Sequence, residues 1–128
     1  MQGASAIDQA LAELPDADIQ AFLLWQPVLD TDRAAPSEEI QARAADDRVR
    51  HFWDPTQRLA SVWQPFLKTD AAPLLGKASL VQGDVLWDFV AVFPPGAQWT
   101  GVAPPAPIFK AAPVADFGAE LRVALGGR

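Results

Sequence analysis

Residues 18–27, DIQAFLLWQP, decide how the rest of the chain is read. Ile19, Ala21, Leu23 and Trp25 alternate with Phe22 and Leu24, so both faces of an extended segment are apolar. Such a strand is expected in the middle of a parallel sheet, with helices over both sides. Two further segments repeat the theme of a buried strand with a tryptophan near one end: residues 49–55 (VRHFWDP) and residues 85–94 (VLWDFVAVFP).

Working outward, Ser5 with Asp8 three residues later has the form of a helix N-terminus. Ile7, Leu11 and Leu14 share the face of that helix, and Pro15 ends it. Residues 27–36 (PVLDTDRAAP) form a polar loop. Residues 37–45 form a short helix with Glu38 and Glu39 in its first turn, where the helix dipole favours acids. After the second strand, Asp54, Pro55 and Gln57 stand as N-cap, first and third residue of another helix. Leu59, Val62, Trp63, Phe66 and Leu67 follow at core-facing spacing, and Pro65 kinks or shortens that helix.

Residues 69–84 carry little pattern and read as a surface loop. Residues 85–93 are the strongest strand, turned by Pro94, Pro95 and Gly96. Residues 98–109 return antiparallel at a sheet edge, since Pro104, Pro105 and Pro107 lack the N–H groups an inner strand uses. Asp116 caps a last helix that presents Phe117, Leu121, Ala124 and Leu125 and stops at Gly126 and Gly127. The order is helix, strand, helix, strand, helix, strand, strand, helix: one α/β domain over residues 1–128. Its mixed sheet has a parallel, right-handed β-α-β start and ends in an antiparallel hairpin and a C-terminal helix.

Composition narrows the function. The chain has 128 residues, half of them hydrophobic, with 16 acids against 10 bases for a net charge of −6. That is a soluble, acidic, globular composition, and the scattered bases form no face for nucleic acid. There is no cysteine, which excludes a thiol nucleophile, thiolate metal ligation and disulfides. No segment has the length or polarity pattern for membrane insertion or a signal peptide.

The element order, together with residues 22–32 (FLLWQPVLDTD), 47–55 (DRVRHFWDP) and 87–96 (WDFVAVFPPG), resembles a bacterial family of thioredoxin-like proteins. Its marks are Trp-x-Pro-x-Leu-x-x-Asp after one strand, Asp-x-Arg-Val leading to Phe-Trp-Asp, and Trp-Asp before a final hairpin. The resemblance covers about residues 15–100. It implies a thioredoxin-like fold, here lacking the first strand and the Cys-x-x-Cys motif that such domains place at the start of their first helix. The chain is then either a shortened domain without redox chemistry or a piece of a longer protein.

Parallel strands bring their C-terminal ends to one sheet edge, where α/β proteins bind ligands. Trp25, Asp30 and Asp32 would meet His51, Trp53 and Asp54 there, and a thioredoxin-like arrangement would add Trp87 and Asp88. The candidate site is therefore an acidic, tryptophan-lined pocket of Trp25, Asp32, His51, Trp53, Asp54, Trp87 and Asp88. Each member also has a structural reading: Asp54 as a helix cap, the tryptophans as core, Asp30 and Asp32 as turn formers. His51, the single histidine, has no partners at metal-ligand spacing among Asp46, Asp47 and Asp54. No catalytic residue, cofactor or metal is assigned.

The expected function is a non-redox thioredoxin-like binding or assembly module. The alternatives are a fragment of a thiol–disulfide oxidoreductase whose cysteine-bearing N-terminal segment is missing, and an acid–base enzyme using the acidic pocket. A sheet without its first strand leaves an open edge, so a homodimer or a protein partner at that edge is expected. The location expected is cytoplasmic, or periplasmic if an upstream segment is missing.

Overall fold

The structure, a computed structural model, describes residues 2–27, 34–67, 72–81, 86–101 and 104–126. Helix α1 (Gln2–Ala12) begins three residues ahead of Ser5, which lies inside it and is no cap. Tertiary packing accounts for the difference. Gly3 and Ala4 are buried, and a Cβ on Gly3 would stand 3.1 Å from both Asp88 Oδ1 and Val114 Cγ1. The helix ends before Pro15 with Glu13 N donating to Gln9 O and Leu14 N to Leu11 O.

Strands β1 (Ala21–Trp25) and β2 (Val49–Trp53) pair in parallel, with Ala21 opposite Val49 and Trp25 opposite Trp53. Between them runs α2 (Glu38–Gln41), extended by a 3-10 turn over Ala42–Ala44, and Ser37 Oγ accepts from Ile40 N at its start. The β-α-β start is thus present. Among the described residues, however, strand β1 is not central: β1 and β2 form a two-stranded sheet of their own. One face turns inward, and the other leaves Phe22, Leu24 and Phe52 at 58%, 43% and 48% exposure.

Helix α3 (Arg58–Trp63) starts three residues after Pro55, because Pro55 and Thr56 form a turn and Gln57 adopts a left-handed conformation at φ 56°. It passes into a 3-10 turn at Gln64–Phe66, where Pro65 cannot continue the α-helical ladder. A helix this short turns only Ala60 and Trp63 fully inward, leaving Val62 exposed. Trp63 gathers Phe89, Phe93 and Trp99 around it, with ring centroids 5.7–6.2 Å away.

The second sheet has the order β3-β5-β4, from β3 (Leu74–Gly76), β4 (Val90–Val92) and β5 (Phe109–Ala112). Strand β5 runs parallel to β3 and antiparallel to β4. Three expectations change here. Strand β3 and a 3-10 turn at Ala78–Val81 occupy the segment read as a loop. Strand β4 is short, since Asp88 at φ 49° breaks the extended run ahead of it. The return strand begins only at Phe109, beyond Pro104, Pro105 and Pro107, and so sits at the centre of its sheet rather than at an edge.

Gly76 is fixed by this sheet. At φ 100°, a Cβ there would lie 2.0 Å from Ala112 O. Helix α4 (Gly118–Ala124) follows a 3-10 turn at Val114–Phe117, and Asp116 makes no cap for it. Ala10, Val92, Phe109, Ala111, Val114 and Leu121 form the core, with Ile7, Leu75, Phe117 and Leu125 against it. Leu11 and Leu121 are 1% exposed, and burial of each such side chain stabilises by about 1.5–3 kcal/mol. Lys110 on β5 is wholly buried, and its Nζ donates to Leu67 O at 3.2 Å.

Candidate functional site

The parallel pairing of β1 and β2 brings Trp25, His51, Trp53 and Asp54, four of the seven expected residues, together towards the C-terminal end of the ribbon. Trp25 Nε1 donates to His51 Nδ1 at 2.9 Å, with ring centroids 6.0 Å apart and ring planes 20° apart. An indole N–H can only donate, so His51 Nδ1 is the acceptor. The proton of the neutral ring then sits on Nε2, which donates to Ala44 O at 3.0 Å. Trp53 lies opposite Trp25 in register, and Asp54 N donates to Trp25 O at 2.8 Å.

Asp54 caps a helix, although not in the register of the sequence. Its two carboxylate oxygens accept from Arg58 N at 3.1 Å and Leu59 N at 3.0 Å, across the turn at Pro55 and Thr56. Gln57 Nε2 donates to Pro27 O, which ties this turn to the end of β1. Gln26 Nε2 donates to Leu86 O at 2.7 Å and so brings the segment before Trp87 to the same end of the ribbon. Trp87 is 45% exposed, and its backbone N–H donates to Leu80 O. Asp88 turns its carboxylate to Gly3 at the start of α1, where the helix dipole favours a negative charge. Asp30 and Asp32 lie outside the described residues.

The chemistry of this cluster is that of mutual satisfaction. The Trp25 indole, both His51 nitrogens and the Asp54 carboxylate are each engaged within the protein. Among the described residues no group of three His, Asp or Glu side chains is placed to hold a metal ion. Two open depressions lie elsewhere: about 530 Å³ beside Leu11, Pro15, Asp46 and Arg48, and about 460 Å³ beside Leu75, Phe109 and Val123.

Two features received no role in the reading of the sequence, although one lies within its Asp-x-Arg-Val mark. The first is Arg48. Its Nη1 donates to Leu14 O and Ala17 O at 2.7 and 3.0 Å, and its Nη2 to Leu11 O at 2.8 Å. One guanidinium thus serves three carbonyls at and beyond the end of α1, two of which, Leu11 O and Leu14 O, also accept from the backbone N–H groups of Leu14 and Ala17. Asp46 steers it, accepting from Arg48 Nε and Nη2 and from Arg48 N. The guanidinium, with the backbone N–H adding to it, holds the Asp46 carboxyl down at about 2. The Asp-x-Arg spacing was the available signal, since it lets one carboxylate meet both the amide and the guanidinium of the same arginine.

The second is the outer face of the β1–β2 ribbon. Phe22, Leu24 and Phe52 stand on it with Arg50, and the Phe22 and Phe52 rings are 6.0 Å apart. No family model matches the chain, and no match was found among curated proteins or solved structures. The arrangement of the residues therefore carries the functional reading by itself. No helix among the described residues is long and apolar enough to cross a membrane.

Proposed function

We propose that this chain is a non-redox, thioredoxin-like binding or assembly module whose contact region is the β1–β2 ribbon. The order of elements supports the thioredoxin-like reading: a parallel β-α-β unit, then an antiparallel pair, then a C-terminal helix. The absence of cysteine supports the non-redox reading. The observation that carries the binding role is the outer face of the ribbon, where three large apolar side chains stand together in solvent. Single exposed apolar residues are ordinary, whereas a contiguous patch marks a surface that another molecule covers. The occupant is a second copy at the open strand edge, giving a homodimer, or a different protein.

Acid–base catalysis draws no support from Asp54, whose carboxylate is taken by two helix amides. The binding role is tested with anilinonaphthalene sulfonate, an apolar anion that brightens on desolvated surface. The folded protein should bind it, and a Phe22→Ser, Phe52→Ser variant should lose that binding without a change in melting temperature. Equal dye binding by both proteins would overturn the assignment of the contact region.

A further inference from the structure

Arg50 distinguishes the outer face of the ribbon from a plain apolar patch. It is exposed, stands opposite Phe22 in register and shares its strand face with Phe52. The ion pairs among the described residues are Arg48–Asp46 and Arg122–Glu13, and Arg50 forms none. The chain has 16 acids to 10 bases, yet the ribbon positions on this face, Phe22, Leu24, Arg50 and Phe52, include no acid.

We infer that this face seats an amphipathic helix of a partner protein, its apolar stripe over Phe22, Leu24 and Phe52 and a carboxylate over Arg50. The inference rests on the binding-module reading above. Size agrees with it. Each strand of the ribbon has five residues, or about 17 Å at ~3.3 Å per residue, which a helix of about eleven residues spans. A helix laid on a sheet is also how α/β proteins ordinarily cover such a face.

Charge decides between occupants. A second copy packed face to face would bring two Arg50 guanidinium groups into one apolar interface with no carboxylate between them, an arrangement that desolvation penalises heavily. An anionic membrane would meet a single cation on a chain of net charge −6, which gives little attraction and a repulsive background. A helix with one acid beside its apolar stripe removes both difficulties. It forms a bidentate, charge-assisted pair at the point where the face is cationic.

The test uses the full chain and a display library of fourteen-residue helices. The helices have leucine fixed at i, i+3, i+4 and i+7, and their remaining positions are random. Selection on the wild-type chain, with counter-selection on Phe22→Ser, Phe52→Ser, should enrich helices with Asp or Glu beside the leucine stripe. Synthetic peptides from the enriched pool should bind about tenfold more weakly to Arg50→Glu, and replacing their acid by Lys should restore binding to that variant.

Enrichment without acids, or peptides indifferent to Arg50→Glu, would overturn the charge assignment and leave the apolar contact region standing. Failure of any helix to enrich would overturn the inference, while the dye experiment judges the contact region separately. Sedimentation as a dimer that Phe52→Ser converts to monomer would assign the face to a second copy, against the inference but within the binding-module reading.

Discussion

Trp25 and His51 are joined across the β1–β2 ladder by an indole N–H donating to an imidazole nitrogen at 2.9 Å. The bond fixes the histidine tautomer and links two strands that have no other sheet neighbour among the described residues. Trp25→Phe removes the donor and leaves His51 Nδ1 without one. The expected loss is about 1–2 kcal/mol, read from urea unfolding. A double-mutant cycle with His51→Leu should give a coupling of about 1 kcal/mol, and additivity within about 0.3 kcal/mol would show that the bond contributes nothing.

Arg48 is expected to resist conservative replacement. A lysine ammonium cannot present the planar fork that reaches Leu11 O, Leu14 O, Ala17 O and Asp46 together. Arg48→Lys and Arg48→Ala should both lower the urea midpoint well below that of Arg43→Ala, an exposed control. Amide exchange should quicken at the end of α1 and at Ala21, whose N–H donates to Arg48 O. A midpoint for Arg48→Lys equal to that of the control would contradict the capping role.

Asp46 makes a pH-dependent contribution of definite sign. Its carboxyl lies near 2 in the folded chain against an ordinary value of 3.8, held there chiefly by the Arg48 side chain. Folding therefore gains from the ionised form above the ordinary value, and that gain disappears as pH falls from about 3.8 towards about 2. Wild type should lose stability faster than Asp46→Asn across this window, so their midpoints converge at the acid end. Parallel curves in urea titrations at stepped pH would refute it.

Gly76 and Gly96 form a matched pair. Both have positive φ, but a Cβ at Gly76 would strike Ala112 O at 2.0 Å, whereas nothing lies within 4 Å of one at Gly96. Gly96→Ala should cost about 1–2 kcal/mol from its left-handed backbone alone. Gly76→Ala should cost at least about 3 kcal/mol, because β3 must move away from β5. Similar melting temperatures for the two variants would show that the close approach is relieved cheaply.

The legible parts of the fold were those written in local signals. The run at residues 18–27, Ser37 before two glutamates, and Asp54-Pro55 announced β1, α2 and the approach to α3. Pro65 and Gly126 marked endings. What escaped were features decided by distant packing. Leu74–Gly76 is too short to show a period, and only its pairing with β5 makes it a strand. Ser5 looked like a cap because the burial of Gly3 and Ala4 against Asp88 and Val114 cannot be read locally. The β1 alternation correctly marked two apolar faces, but not that one of them stays in water.

At the candidate site, the meeting of Trp25, His51, Trp53 and Asp54 followed from parallel strands alone. That Trp25 bonds His51, and that Asp54 reaches past Gln57 to Arg58 and Leu59, depends on rotamers and a left-handed residue that spacing does not encode. Arg48 belongs to the same class: helix-end carbonyls lie some thirty positions away in sequence and leave no mark beside it.

Lys110 has a practical corollary. Its amine is sealed inside the central strand of the three-stranded sheet, so an amine-directed acylating reagent reaches it only in molecules that have opened. Lys77, by contrast, is exposed and reacts from the folded state. The ratio of acylation at these two sites, followed by peptide mass mapping, gives the chain a built-in clock for its own opening, with no probe added to the sequence.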